Sequence, residues 1–185
     1  PKGHFVAAEI ISGLEDDLQN PWLLFEKALD DPTGILSPAV CKLIPETAKK
    51  LYKKHSSKDS AQLKLLHLLS RFDLSLDQAK RLYVEELREA LAPGIDEETI
   101  LSNPYLIYEL SAKQRDSVAL ETIDLGLFLK NVPEDILPVG IVSSDPVNPL
   151  RVRALTFQQL RKASFLGHTL LPRKQLVNAI RDLPI

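Results

Sequence analysis

Between Asn148 and Gly167 apolar residues return at spacings of three and four: Leu150, Ala154, Phe157 and Leu160, with Ser164 continuing the stripe. Arg151, Arg161 and Lys162 fall largely outside it. That period belongs to an amphipathic α-helix. Asn148 offers a side-chain acceptor at its start, and Pro149 sits where a missing N–H costs nothing. Gly167 suits the left-handed turn past the end of a helix. His168-Thr169-Leu170-Leu171 is short and extended in character, so one short β-strand is expected near His168. Pro172 then opens a second helix with Leu176, Ala179 and Ile180 on one side. The expected unit is helix, short strand, helix.

The same stretch is basic. From Arg151 to Ile185 there are seven Arg and Lys residues and one acid, Asp182, a balance of +6. The whole chain is −2, so the first 150 residues carry −8. Positive charge gathered on a helical unit is the footprint expected of a nucleic-acid contact.

Upstream the chain is a succession of helical stripes cut by prolines and polar turns. His4 to Leu18 suggests a helix, with Gly13 against it, and Asn20-Pro21 begins another carrying Trp22, whose expected role is packing. Asp31-Pro32-Thr33-Gly34 is a turn by composition. Short helices are expected from Ser37-Pro38 and from Pro45; the second carries Lys49, Lys50, Lys53 and Lys54, read as a solvated face. Ser56 to Ser60 is the best internal boundary. A leucine-rich helix then runs to about Arg71, with His67 expected to be a core residue. Ser75 and Gln78 stand at capping-box spacing, and their helix is expected to reach about Ala90. Pro93-Gly94 breaks the chain, and Asp96-Glu97-Glu98 suits a helix start. Asn103-Pro104 is expected to cap a helix bearing Tyr105 and Tyr108, both read as buried. Asp116 is expected to cap one ending at Gly126. Asn131 to Pro149, with four prolines, is expected to be an irregular connection. The expected divisions are 1–58, an N-terminal helical part; 59–144, a helical-hairpin part; and 145–185, the basic unit. The fold class is mainly α, a multi-helix domain with helical hairpins.

Several chemistries lack their residues. No phosphate-cradling Gly-x-x-x-x-Gly-Lys-Ser/Thr and no Gly-x-Gly-x-x-Gly occurs. The four histidines are far apart, and the lone Cys41 has no partner for a disulfide or a zinc site. No catalytic residue or cofactor is expected. No apolar run is long enough to span a bilayer, so no membrane partner is expected, and the composition fits a reducing cytoplasm. The chain starts at Pro1 and has no methionine, so it is expected to be a piece of a longer protein.

A resemblance enters on particular residues. Asn103-Pro104-Tyr105-Leu106, Ile123-Asp124-Leu125-Gly126, Asp145-Pro146, Leu150-Arg151-Val152-Arg153-Ala154 and Gly167-His168-Thr169-Leu170-Leu171-Pro172, in this order, resemble the RecD-like DNA helicases of the exonuclease V alpha-subunit type. The resemblance covers roughly residues 60 to 182. It implies the non-catalytic helical region that precedes the ATPase motor, in a parent that is an ATP-dependent DNA helicase of repair and recombination. ATP and magnesium would then belong to the parent's motor alone. In that family the hairpin near residues 71–75 resembles a helix-hairpin-helix, whose glycine-containing turn meets a DNA phosphate. Here Arg71-Phe72-Asp73-Leu74-Ser75 has no glycine, and Asp73 opposes phosphate, so the hairpin is read as a packing unit. The implied partner is single-stranded or junction DNA, together with the parent's motor domains or partner subunits. The DNA-contact candidates are Arg151, Arg153, Arg161, Lys162, His168, Arg173 and Lys174. The alternative is a helical protein–protein interaction module without DNA contact.

Overall fold

A computed structural model describes residues 3–14, 21–55, 61–128 and 147–182. The boundary expected at Ser56 to Ser60, most of the proline-rich connection and Asp145-Pro146 lie outside them. Among the described residues there are twelve α-helices and no strand. The described residues divide into two compact units, one reaching to Leu63 and one from Lys64 onward.

The first unit holds α1 (Gly3–Ser12), α2 (Pro21–Asp30), a 3₁₀ turn (Pro32–Gly34), α3 (Pro38–Cys41) and α4 (Glu46–His55). Its core is small: Val6, Ile10, Ala28, Leu36 and Val40. Polar bonds tie its elements together. The Ser37 N–H and hydroxyl donate to the Glu9 carboxylate at 2.8 and 2.5 Å, joining α1 to the start of α3. Lys49 Nζ donates to the Asp30 carbonyl at 2.6 Å, and Lys53 pairs with the Asp30 carboxylate at 2.8 Å. These two lysines sit one turn apart on α4, so both reach the end of α2. Trp22 meets Phe25 edge to face with ring centroids 5.5 Å apart, as Phe25 meets Tyr52.

The second unit holds α5 (Ala61–Leu69, from Lys64 onward), α6 (Leu76–Tyr83), α7 (Glu85–Leu91), α8 (Glu97–Ser102), α9 (Leu106–Ser111), α10 (Leu120–Leu127), α11 (Pro149–Phe165) and α12 (Arg173–Arg181). Its core gathers Leu65, Leu68, Leu82, Ile100, Tyr105, Ile107, Leu120, Ile123 and Ala154. Three local expectations are met atom by atom. Gln78 N–H donates to Ser75 Oγ at 3.2 Å while Ser75 N–H donates to Gln78 Oε1 at 2.8 Å, a complete capping box. Asn148 Oδ1 accepts from Leu150 N–H at 2.8 Å with Pro149 in the first helical position. Gly167, at φ +83°, closes α11: His168 N–H reaches back to Ala163 O, and Gly167 N–H to Ser164 O, each at 3.0 Å.

Elsewhere burial and side-chain contacts overrule local signals. The helix begun at Ser75 stops at Tyr83, because Val84 is extended at φ −80°, ψ 121°, and α7 starts afresh. The buried Arg88 guanidinium explains the break: its Nη1 takes the carbonyls of Leu82 at 2.8 Å and Tyr83 at 3.3 Å. A continuing helix would direct those carbonyls to N–H groups one turn on. Asn103 does not cap α9 through its side chain; it is buried, and the helix starts after Tyr105. Asp116 does not cap α10; it pairs with Arg81 at 2.6 Å. Residues 168–171 bend at Thr169, and among the described residues no strand lies beside them to complete a ladder, so the expected β-strand is absent.

Gly126 lies inside α10 instead of ending it. A Cβ there would strike the Phe72 ring and stand 2.7 Å from the Arg71 carbonyl. The glycine lets α10 press against the turn that follows α5. Gly126→Ala is expected to lower the unfolding free energy by about 1–3 kcal/mol in urea titration, as overpacking against backbone does.

All four tyrosines hold their protons more tightly than free tyrosine. Burial is the first cause in each; carboxylates add to it, Glu26 at Tyr52, Glu97 at Tyr83 and Asp124 at Tyr105. The folded values lie above the unfolded value of 10.0, so above that pH the folded chain binds more protons than the unfolded one. Their contribution to stability is complete below pH 10 and falls as pH rises beyond it. In an alkaline titration, tyrosinate absorbance is expected to rise together with loss of helical circular dichroism, not before it.

Candidate functional site

Two carboxylates one helical turn apart on α10 organise the basic helix α11. Asp124 takes Arg151 in a forked pair: Nε lies 3.1 Å from each carboxylate oxygen and Nη2 lies 2.8 Å from Oδ2. Glu121 Oε1 accepts from Gln158 Nε2 at 3.0 Å. The buried face of α11 therefore runs Arg151, Ala154, Leu155, Gln158. It has the expected period, but its phase is shifted by about one residue from the stripe of Leu150, Phe157 and Leu160. Leu150 and Phe157 pack at its edge, and Leu160 faces solvent.

Arg151 is only 9% exposed and lies over the Phe128 ring at 5.2 Å. Hydrogen bonding to Asp124 raises its pKa against the pull of burial. The Tyr105 hydroxyl donates to Asp124 Oδ1 at 3.0 Å. Three stretches that carry the family resemblance thus meet in one network: Tyr105 of Asn-Pro-Tyr, Asp124 of Ile-Asp-Leu-Gly, and Arg151. Arg151 is corrected from a DNA-contact candidate to a core residue, because its guanidinium is enclosed and bidentately paired. The sequence signal for its partner was an acid, Asp124, on the same helical face as Leu120, Ile123 and Leu127.

Two more of the arginines have internal partners. Arg153 Nη2 pairs with Glu109 at 2.8 Å, though most of its side chain is exposed. Arg161 donates to the Ala112 carbonyl and lies over the Phe165 ring at 5.4 Å. Both brace α11 against the end of α9. At the α5–α6 turn the Arg71 guanidinium nitrogens are buried without a hydrogen-bond partner among the described residues, and desolvation lowers that group's pKa. It is not displayed to solvent.

Lys162, His168, Arg173 and Lys174 remain, with Arg181 added from the same helix. All five are exposed. None has an ion-pair partner among the described residues. On α12, Ile180 packs against the core while Leu176 and Ala179 are half-buried. The helical period then turns Lys174, Asn178 and Arg181 outward together. With Arg173 and Val177 they line an open groove of about 500 Å³. Arg181 follows Lys174 by seven residues, a spacing that places both on one face. His168 lies apart from that row, in a second open groove of about 490 Å³ along the last turns of α11 and the loop after it.

Among the described residues no group of three His, Cys, Asp or Glu side chains is placed to hold a metal ion, and no helix is long and apolar enough to cross a membrane. Comparisons with protein-family models, with curated proteins and with solved structures find no match to this chain.

Proposed function

We propose that this chain is a non-catalytic accessory region of a RecD-like ATP-dependent DNA helicase or exonuclease subunit. It holds single-stranded or junction DNA by its phosphates and braces the motor that hydrolyses ATP. The observation that carries the reading is the outward row of α12, where Arg173, Lys174 and Arg181 line one groove and have no ion-pair partner among the described residues. Exposed cations without partners bind phosphate without first breaking an ion pair. The order of the Asn-Pro-Tyr and Gly-His-Thr motifs supports the family assignment. Such contacts release counterions, so binding weakens with salt and ignores base sequence.

Fluorescence anisotropy with labelled oligo-dT and a forked duplex tests this. For three phosphate contacts to a single strand, the slope of log K against log salt is expected to be about −2. Charge reversal at Arg173, Lys174 and Arg181 together is expected to weaken binding at least tenfold at low salt and flatten that slope. No binding at low salt, or an affinity unmoved by the triple reversal, defeats the reading.

A further inference from the structure

We propose, on the footing of the DNA reading, that α12 takes the double-stranded arm of that DNA, seated in its major groove, and not the unpaired strand. The outward face of the helix is Arg173, Lys174, Val177, Asn178 and Arg181, all exposed. At 3.6 residues per turn these five share an arc of about 140°. Leu176, Ala179 and Ile180 are half-buried and face the other way. Asp182, the one acid from Arg151 onward, follows the last helical residue and lies about 100° round from Arg181.

The order along the row selects the groove. Cations stand at its two ends and neutral side chains in its middle. Arg173 and Arg181 are about 12 Å apart along the helix axis. The major groove of B-form DNA is about 12 Å wide and admits an α-helix, whereas the minor groove is about 6 Å wide. A row of this length lets the terminal cations reach phosphates on opposite walls of the major groove. Between them Val177 and Asn178 meet the groove floor, where there is no phosphate to pair and the row offers no cation. A single amide does not fix a base sequence, so the affinity still comes from the phosphates.

An unpaired strand suits this face less well. Proteins that hold single strands add aromatic rings on which bases stack. The outward face of α12 has none. Its cations are carried on one rigid helix, and that fixed spacing suits the regular phosphates of a duplex. A flexible strand must first be ordered to match it, at a cost in binding. Double-stranded RNA is set apart by shape, because its major groove is deep and narrow.

Anisotropy with the full chain and labelled probes of equal phosphate number tests this. The probes are a DNA hairpin, oligo-dT and an RNA hairpin of the same sequence. A fourth is the DNA hairpin with glucosylated hydroxymethylcytosine, whose sugars fill the major groove and leave the phosphates unchanged. The DNA hairpin is expected to bind at least tenfold tighter than oligo-dT or the RNA, and glucosylation is expected to weaken it at least fivefold. Val177→Trp changes no charge but sets a bulky ring in the middle of the row, at a side chain 42% exposed. It is expected to weaken the DNA hairpin at least fivefold and to spare oligo-dT, with unchanged helical circular dichroism confirming that it folds. Equal affinity for the DNA hairpin and either oligo-dT or the RNA, or for the bare and glucosylated hairpins, overturns the groove seating. The phosphate reading survives that result if the triple reversal at Arg173, Lys174 and Arg181 still weakens binding. No binding to any probe at low salt defeats both.

Discussion

Arg88→Ala is expected to lower the unfolding free energy of the second unit by about 3–5 kcal/mol, the cost of breaking a buried pair from one side. Stability of a domain is itself only about 5–15 kcal/mol, so the variant should be largely unfolded in mild urea. The reason is the number of groups that one side chain satisfies. Arg88 is 2% exposed, and its guanidinium takes the carbonyls of Leu82 and Tyr83 and the Ile95 carbonyl at 3.1 Å, with Glu97 at 2.5 Å. Removing it leaves three carbonyls and a carboxylate short of a donor, and opens a void where α6, α7 and the start of α8 meet. Arg88→Lys is not expected to restore stability, since an ammonium cannot present the fork that spans these acceptors. Urea titrations of the three proteins check this. A loss below about 1 kcal/mol for the alanine variant, on the scale of an exposed pair, would refute the account.

Asp124→Ala is expected to cost about the same, about 3–5 kcal/mol. It removes the carboxylate that forks to the enclosed Arg151 guanidinium and leaves the Tyr105 hydroxyl without its acceptor. The double variant Asp124→Leu with Arg151→Met tells pairing apart from packing. It is expected to be more stable than either single variant, because no unpaired charge remains, with a coupling energy of about 1–3 kcal/mol in a double-mutant cycle. Additive losses would show that the two side chains act separately. These variants also bear on the DNA reading. Their oligo-dT affinity, measured where they remain folded, is expected to match the parent chain, because Arg151 lies in the core and the α12 row is untouched.

What was readable in advance was whatever one or two turns of backbone can specify. The Ser75–Gln78 box, the Asn148-Pro149 start and the Gly167 stop involve atoms within five residues of one another. Their chemistry is therefore written in adjacent letters. Much of the apolar core was readable for a related reason, since helical period assigns a face wherever only the solvent opposes it. The misreadings share the opposite character. The helix breaks at Val84 where buried Arg88 takes the carbonyls of Leu82 and Tyr83 while also reaching Ile95 and Glu97, a packing effect that no period reveals, and Gly126 is required by Phe72, far away in sequence. Arg151 looked like a phosphate contact because a cation in a basic segment is most simply placed in water.

For the candidate site the same division holds. Composition places the positive charge in the last part of the chain, and nothing in the linear order says which cation is available. Folding divides them: Arg151, Arg153 and Arg161 acquire Asp124, Glu109 and the Ala112 carbonyl, while Lys162, Arg173, Lys174 and Arg181 face solvent. Helix type and those ends that are capped locally follow from neighbours along the backbone, where interactions are short-ranged. Pairing follows from neighbours across space, because a charge is neutralised only by an acceptor within a few ångströms, and the packing of α9, α10 and α11 brings those acceptors there.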